Sequence, residues 1–270
     1  MTRSKDSIVD ATVPSAGRVY DYLLGGHHNF EVDRQAAEFI KSLAPFVTKF
    51  VRLQRWCLRD VAHELTTVRG NKVIVDFASG LPTQDNLHVV VPEGTVVVYS
   101  DYDPVVVQYA REILGDTPNV YFFEADIRQP EEFLNRPEVL EIIGDRNDVA
   151  VVSWGVALFL TDDEIRHTAR YLHQWTAANG CWAFNLQGAG LNKEDPAGVE
   201  ILETYAKMGT PAYVRSLDEY VELLKPWHVD DKGLIALLDW HGLKANEMSE
   251  IDVRMFGSAG AGYGAYLVKD

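Results

Sequence analysis

The sequence predicts an α/β protein built on a doubly wound, mostly parallel sheet of about seven strands, and two features carry that prediction. Short β-rich runs recur from Lys72 onward, at Val73 to Phe77, Thr95 to Ser100, Val120 to Glu124, Val149 to Ser153 and Cys181 to Leu186. Between them lie segments of helical periodicity long enough to cross a sheet, Val105 to Leu114, Pro130 to Ile143 and Asp162 to Ala178. Such alternation puts helices on both faces of parallel strands.

Taken in order, the N-terminal "YDYLLGGHHNF" reads as a short helix ended by Gly25-Gly26. Asn29 is placed to cap the next helix, whose first turn carries Glu31 and Asp33 as the helix dipole favours. Val47, Phe50, Val51, Leu58, Val61, Ala62 and Leu65 then recur at helical spacing until Arg69-Gly70-Asn71. The strand and helix runs follow, with Thr161 a plausible cap for the helix at Asp162. Beyond Leu186 the rhythm breaks. "QGAGLNKEDPAG" is a loop, Val199 to Met208 and Ser216 to Leu224 read as helices, and Leu234 to Trp240 and Tyr263 to Val268 read as the sixth and seventh strands, one of them an antiparallel edge strand. The glycine-rich "FGSAGAGYG" leads into a strand, so no helix N-terminus follows to receive a phosphate, and it reads as a turn. Residues 1–70 form an N-terminal helical lid and 71–270 a ligand-binding sheet domain, together one folding unit.

Forty acidic against 25 basic side chains give a net charge of -15, which disfavours nucleic acid and anionic membranes as partners and suits a small or cationic ligand. Two cysteines make no disulfide framework, the N-terminus lacks a signal-peptide core, and no apolar run is long enough to span a bilayer. A cytoplasmic location is expected. The eight histidines show no zinc-site spacing, so no metal is expected.

Ligands of open parallel sheets bind at the carboxyl ends of the strands. Three successive runs end there in aspartate: Asp76, Asp101 and Asp126. A carboxylate after the second strand accepts from both hydroxyls of an adenosine ribose. Asp126, with the Ile127 backbone beside it, is placed to receive an adenine amino group, while Asp103 before Pro104 suits a helix cap as readily as a ligand. Asp76 lies where the phosphates of a dinucleotide would pass and would repel them. Gly80 is the loop's only glycine, so the G-x-G-x-x-G fingerprint is missing. A sulfonium and an α-amino group fit such a turn better, which points to S-adenosylmethionine.

The order of motifs resembles the class I S-adenosylmethionine-dependent methyltransferases, a Rossmann-like fold. In detail it resembles a bacterial, actinobacterial-type S-adenosyl methyltransferase family once classed as a domain of unknown function. The resemblance lies in "PSAGRVYDYLLGGHHNFEVDRQAAE" (Pro14 to Glu38), "VIVDFASGLPTQDNLH" (Val73 to His88), "VVYSDYDPVVVQYAREIL" (Val97 to Leu114), "EADIRQPEEFL" (Glu124 to Leu134) and "RSLDEYVELLKPW" (Arg215 to Trp227). It implies Asp76, Ser79, Gly80, Pro82 and Thr83 at the methionine end, Asp101 with Tyr102 at the ribose, and Asp126 with Ile127 at the adenine. The N-terminal lid would add Tyr22, Gly26 and Asn29, and the fourth strand's end Ser153 and Trp154. Ala78 replaces the first glycine of the class I pattern, a change that is harmless if its φ is negative. "VALFL" (Val156 to Leu160) lacks a histidine that relatives often carry, so no catalytic base is assigned. The implied activity is methyl transfer to a small molecule whose pocket includes the lid, Trp154 and the segment from Gln187 to Pro211 with Tyr205 and Met208. A non-catalytic S-adenosylmethionine or S-adenosylhomocysteine sensor and an NAD-dependent dehydrogenase stand as alternatives.

Overall fold

A computed structural model describes residues 12–83, 86–144, 147–187, 196–242 and 262–269. Its centre is a sheet in the order β3-β2-β1-β4-β5-β8-β6, with β7 also paired to β8. The first five strands, β1 (Val73–Phe77), β2 (Val96–Asp101), β3 (Val120–Glu124), β4 (Val149–Ser153) and β5 (Cys181–Leu186), are parallel. β8 (Tyr263–Val268) runs antiparallel to β5, to β6 (His228–Val229) and to β7 (Ile235–Ala236).

The inner strands are buried along their whole length because both faces are covered. Alternate residues go to opposite cores, as the pleat requires. Val73, Val75 and Phe77 of β1 join one core, with the helices α6 (Pro130–Leu134), α7 (Pro137–Ile143), α8 (Asp162–Trp175) and α10 (Leu217–Leu223). Ile74 of the same strand joins the other, with α3 (Val47–His63), α4 (Leu87–Val90), α5 (Pro104–Leu114) and α11 (Leu237–Trp240). A third core lies among α1 (Ala16–Leu23), α2 (Glu31–Leu43), the start of α3 and α9 (Pro196–Lys207). α3 therefore serves two cores: Val47 and Val51 face the N-terminal helices, whereas Leu53, Cys57, Leu58 and Val61 pack under the sheet.

Several sequence expectations change. The antiparallel strand is not at the edge: β8 is inserted between β5 and the short β6 and β7. Leu234 to Trp240 is not one strand, since pairing stops at Ala236 and the chain turns into α11. The run from Pro130 to Ile143 is two helices because Pro137 lacks an N–H and opens a new first turn. Asn29 does not cap α2. Its amide donates to Asp21 Oδ2 at 2.9 Å and to the Gly26 carbonyl at 3.0 Å, while Asp33 reaches back to accept from Phe30 N–H at 2.7 Å. Thr161 does cap α8, accepting from Glu164 N–H in a reciprocal capping box. Most of the loop from Gln187 and of the glycine-rich stretch before β8 lies outside the described residues.

Candidate active site

The carboxyl ends of β1 to β5 open into one cavity of about 480 Å³, roofed by α1, α3 and α9. Asp76, Asp101 and Asp126 all line it, so the three strand ends converge as expected.

Asp101 is built as an acceptor. Gly80 N–H donates to its Oδ2 at 3.0 Å and Asp103 N–H to its Oδ1 at 3.0 Å. Each oxygen thus keeps acceptor capacity for a further donor. Burial raises its pKa to about 6, against the pull of those two N–H groups. Asp103 differs. One of its oxygens caps α5 by accepting from Val105 N–H at 2.9 Å, and the other pairs with Arg18 Nη1 at 3.1 Å. Arg18 Nε in turn meets Asp33 Oδ2 at 2.8 Å, so a guanidinium 3% exposed ties α1 and α2 to the end of β2.

Asp76 is 2% exposed, and its carboxyl is pushed well above the usual range by burial and by Asp101, with Arg55 opposing. No described side chain donates a hydrogen bond to it. Arg55, from α3, is a residue that sequence reasoning missed. It is 5% exposed, its Nε and Nη1 are buried without partners, and its guanidinium lies 5.6 Å from the centre of the Tyr20 ring. A buried cation and a buried anion, unpaired with each other, line the same cavity. Burying such groups costs free energy until a counter-charge arrives.

The β1 turn gives the remaining backbone. Ser79, which lines the cavity, donates its N–H to the Ser100 carbonyl at 2.9 Å, and Gly80 takes φ +64°. Ala78 also stands in the left-handed region, at φ +53°. The negative φ that would make this alanine harmless is not what the structure shows. Asp126 holds Arg128 through Nε at 2.8 Å to both oxygens, and Arg128 lies 5.7 Å from the Tyr102 ring centre, so this end of the cavity has a paired wall. Ile127 is buried beside it, its carbonyl accepting from Thr168 Oγ1 at 2.9 Å. Trp154 lines the cavity with its Nε1 bound to the Gln54 carbonyl at 3.1 Å.

Other expected site residues do not reach the cavity lining. Tyr22 bonds Glu38 on the outer side, and Gly26 packs so closely on Asp21 that a Cβ would fall 2.0 Å from its Oδ1. Together with Asn29 they shape a turn around the buried Asp21, whose Oδ2 also accepts from His28 N–H at 2.9 Å. From α1 it is Ala16, Val19, Tyr20 and Leu23 that face the cavity. Pro82 and Thr83 continue the loop away from it, and Ser153 is buried beneath, accepting from Trp182 Nε1 at 3.0 Å. Met208 packs in the third core while Tyr205 lines the cavity. No cluster of metal-ligating side chains occurs among the described residues.

With this geometry in place, the sequence matches the S-adenosyl methyltransferase family over residues 2–263. The chain belongs to that family. Solved structures agree. A candidate methyltransferase of Thermobifida fusca YX is 25% identical, with a TM-score of 0.84 over 100% of both chains. A DUF574 family protein of Streptomyces avermitilis MA-4680 is 27% identical, with a TM-score of 0.82 over 97% of this chain and 99% of that one. The plantazolicin methyltransferase BamL, 11% identical at a TM-score of 0.50 over 94% of this chain and 96% of that one, shares the fold alone. No curated protein matches the sequence. The methyltransferase assignment sets aside the dehydrogenase alternative, and S-adenosylmethionine is the family's cofactor.

Proposed function

We propose that this methyltransferase holds its cofactor across the ends of β3, β2 and β1 and methylates a small molecule bound beyond β1, under the N-terminal helices. The observation that carries this reading is a pair of buried opposite charges that form no ion pair with each other: Asp76 for the α-ammonium of the methionine moiety, and Arg55, whose Nε and Nη1 lack partners, for its carboxylate. Asp101 accepts the ribose hydroxyls, and Asp126 with Arg128 and Ile127 forms the adenine wall. S-adenosylmethionine supplies an electrophilic methyl on a sulfonium when bound.

The chain's own contribution is positioning and desolvation. Val156, Leu158, Phe159 and Leu160 make the wall beyond β4 apolar, which excludes water. Tyr205 is no general base at neutral pH, since burial raises its phenol to about 12. An acceptor whose nucleophilic atom carries a proton must therefore lose it to a group other than Tyr205. The helices α1 and α2 act as a cap, anchored by Arg18 to Asp103 and Asp33. The net charge of -15 disfavours nucleic-acid and anionic-membrane partners, and the bacterial sources of the two solved relatives support a bacterial, cytoplasmic enzyme.

The test uses two ligands. Arg55→Leu should weaken S-adenosylhomocysteine binding by tenfold or more and leave 5′-methylthioadenosine, which lacks the amino-acid end, within about threefold. Equal losses for both ligands would remove Arg55 from the methionine end. Single turnover of labelled S-adenosylmethionine with a metabolite extract separates the enzyme from a sensor, which would bind and transfer nothing.

A further inference from the structure

We infer that the methyl acceptor is a neutral, mostly apolar molecule carrying a hydrogen-bond donor and acceptor side by side, as in a lactam or other cis-amide, and that this edge docks on the paired amides of Gln54 and Gln187. The inference rests on the reading of the strand-end cavity as a joint cofactor and acceptor site.

Gln54 comes from the middle of α3 and Gln187 directly follows β5; both line the cavity and are 1% and 8% exposed. Gln187 Nε2 donates to Gln54 Oε1 at 3.2 Å. That single bond uses half of each amide. Gln54 Nε2 and Gln187 Oε1 remain buried without partners. Turning both amides over exchanges the roles but again leaves one donor and one acceptor, so the inventory does not depend on which atom is nitrogen. Buried groups of this kind are nearly always satisfied in a working protein, and a complementary edge satisfies both at once.

The pair is held in place from behind. The Gln54 main-chain carbonyl accepts from Trp154 Nε1 at 3.1 Å and the Gln187 main-chain carbonyl from Tyr220 Oη at 2.9 Å. Gly155, at φ +87°, lies against the amides: a Cβ there would sit 3.2 Å from Gln54 Oε1 and 3.7 Å from Gln187 Nε2. Glycine leaves that space free.

Position assigns the pair to the acceptor. It stands over the ends of β4 and β5, on the opposite side of β1 from Asp101 and Asp126. The neighbouring lining is apolar, with Val47, Phe50, Val51, Leu158, Ile201 and Tyr205, while the carboxylates of the cavity gather at the ends of β1 to β3 and at Glu164. Among the described residues a charged acceptor would meet no dedicated counter-ion there, because Arg55 is matched to the cofactor. A flat neutral ring system with an amide edge meets both the apolar walls and the two orphaned groups.

The experiment is calorimetric titration of the full chain, saturated with S-adenosylhomocysteine, with 2-quinolone and with N-methyl-2-quinolone, which keeps the ring and the carbonyl but loses the donor. We expect 2-quinolone to bind and its N-methyl analogue to bind at least tenfold more weakly. Gln54→Leu and Gln187→Leu should each bring the two ligands to within about threefold while S-adenosylhomocysteine affinity stays within about twofold. Equal affinities in the wild type, no 2-quinolone binding to the loaded protein, or a preference that survives in both variants would overturn the inference. The wild-type comparison decides even if a leucine variant does not fold. Failure of S-adenosylhomocysteine itself to bind would instead count against the cofactor site.

Discussion

Replacing Asp101 separates its ligand role from its structural one. Each oxygen accepts one backbone N–H, from Gly80 or Asp103, and has capacity for one ribose hydroxyl. Hydrogen bonds to a charged group contribute about 1.5 to 3 kcal/mol each. The low end applies, because burial already raises this carboxyl to about 6 and so penalises the ion. Two bonds then amount to about 3 kcal/mol, and Asp101→Ala should weaken S-adenosylhomocysteine binding on the order of a hundredfold. Asp101→Asn is informative because its NH₂ must face the Gly80 or the Asp103 N–H, donor against donor. It should lose about tenfold in affinity and melt no higher than the alanine variant. Asp103→Ala should do the reverse. It removes the α5 cap, about 1 kcal/mol, and one of the two carboxylates of buried Arg18, for a total loss of roughly 2 to 4 kcal/mol in stability with affinity changed only a few-fold. Calorimetry and thermal melts on the three variants read both quantities. Loss of binding in Asp103→Ala with binding retained in Asp101→Ala would show that the cofactor's register is displaced by two residues.

The raised pKa of Asp101 also sets a pH dependence. Ribose hydroxyls favour the ionised carboxylate, so cofactor affinity should fall as pH drops from 7 to 5, by up to about tenfold per unit, with protons released on binding near pH 6; titrations in buffers of different ionisation enthalpy measure that release, and none at pH 6 would contradict it. For the unliganded protein the sign is opposite: the folded state holds this proton more tightly than the unfolded chain, so the group's contribution to stability grows as pH falls from about 6 toward 3.8. Ala78→Gly should stabilise, since alanine at φ +53° carries about 1 to 2 kcal/mol of strain and glycine returns about 0.4 to 1 kcal/mol of that in unfolded-state entropy. A net gain of roughly 0.5 to 1 kcal/mol, a few degrees in melting temperature, is expected, and a lower melting temperature would refute the strain.

The sheet was legible because its inner strands are buried on both faces and so appear as uninterrupted apolar runs. Its acidic ends were legible because strand ends are where a doubly wound fold exposes its loops. What escaped was decided by distant packing. Arg55 and Gln54 look like ordinary polar positions on an amphipathic helix, and only the seating of α3 against the ends of β1, β4 and β5 turns them inward. Asn29 and Gly26 pack against Asp21 and Tyr22 bonds Glu38, all outside the cavity lining, and the burial of Asp21 that organises this dense motif is revealed by no periodicity. The two-residue strand β6 is too short to leave a pattern, whereas the break at Pro137 is visible in the sequence, because proline lacks the N–H that a continuous helix needs.

The insertion of β8 has a colloidal consequence. A sheet edge with free N–H and C=O groups is a template on which another chain can polymerise. Beyond β8 the outermost rank consists of β6 and β7, two residues each, separated by a turn and paired to opposite ends of β8. Among the described residues an incoming strand would find no continuous ladder there, and two hydrogen-bonding residues at a time cannot nucleate a cross-β contact. The long, regular strand that could have served as a template is shielded by two fragments too short to replace it.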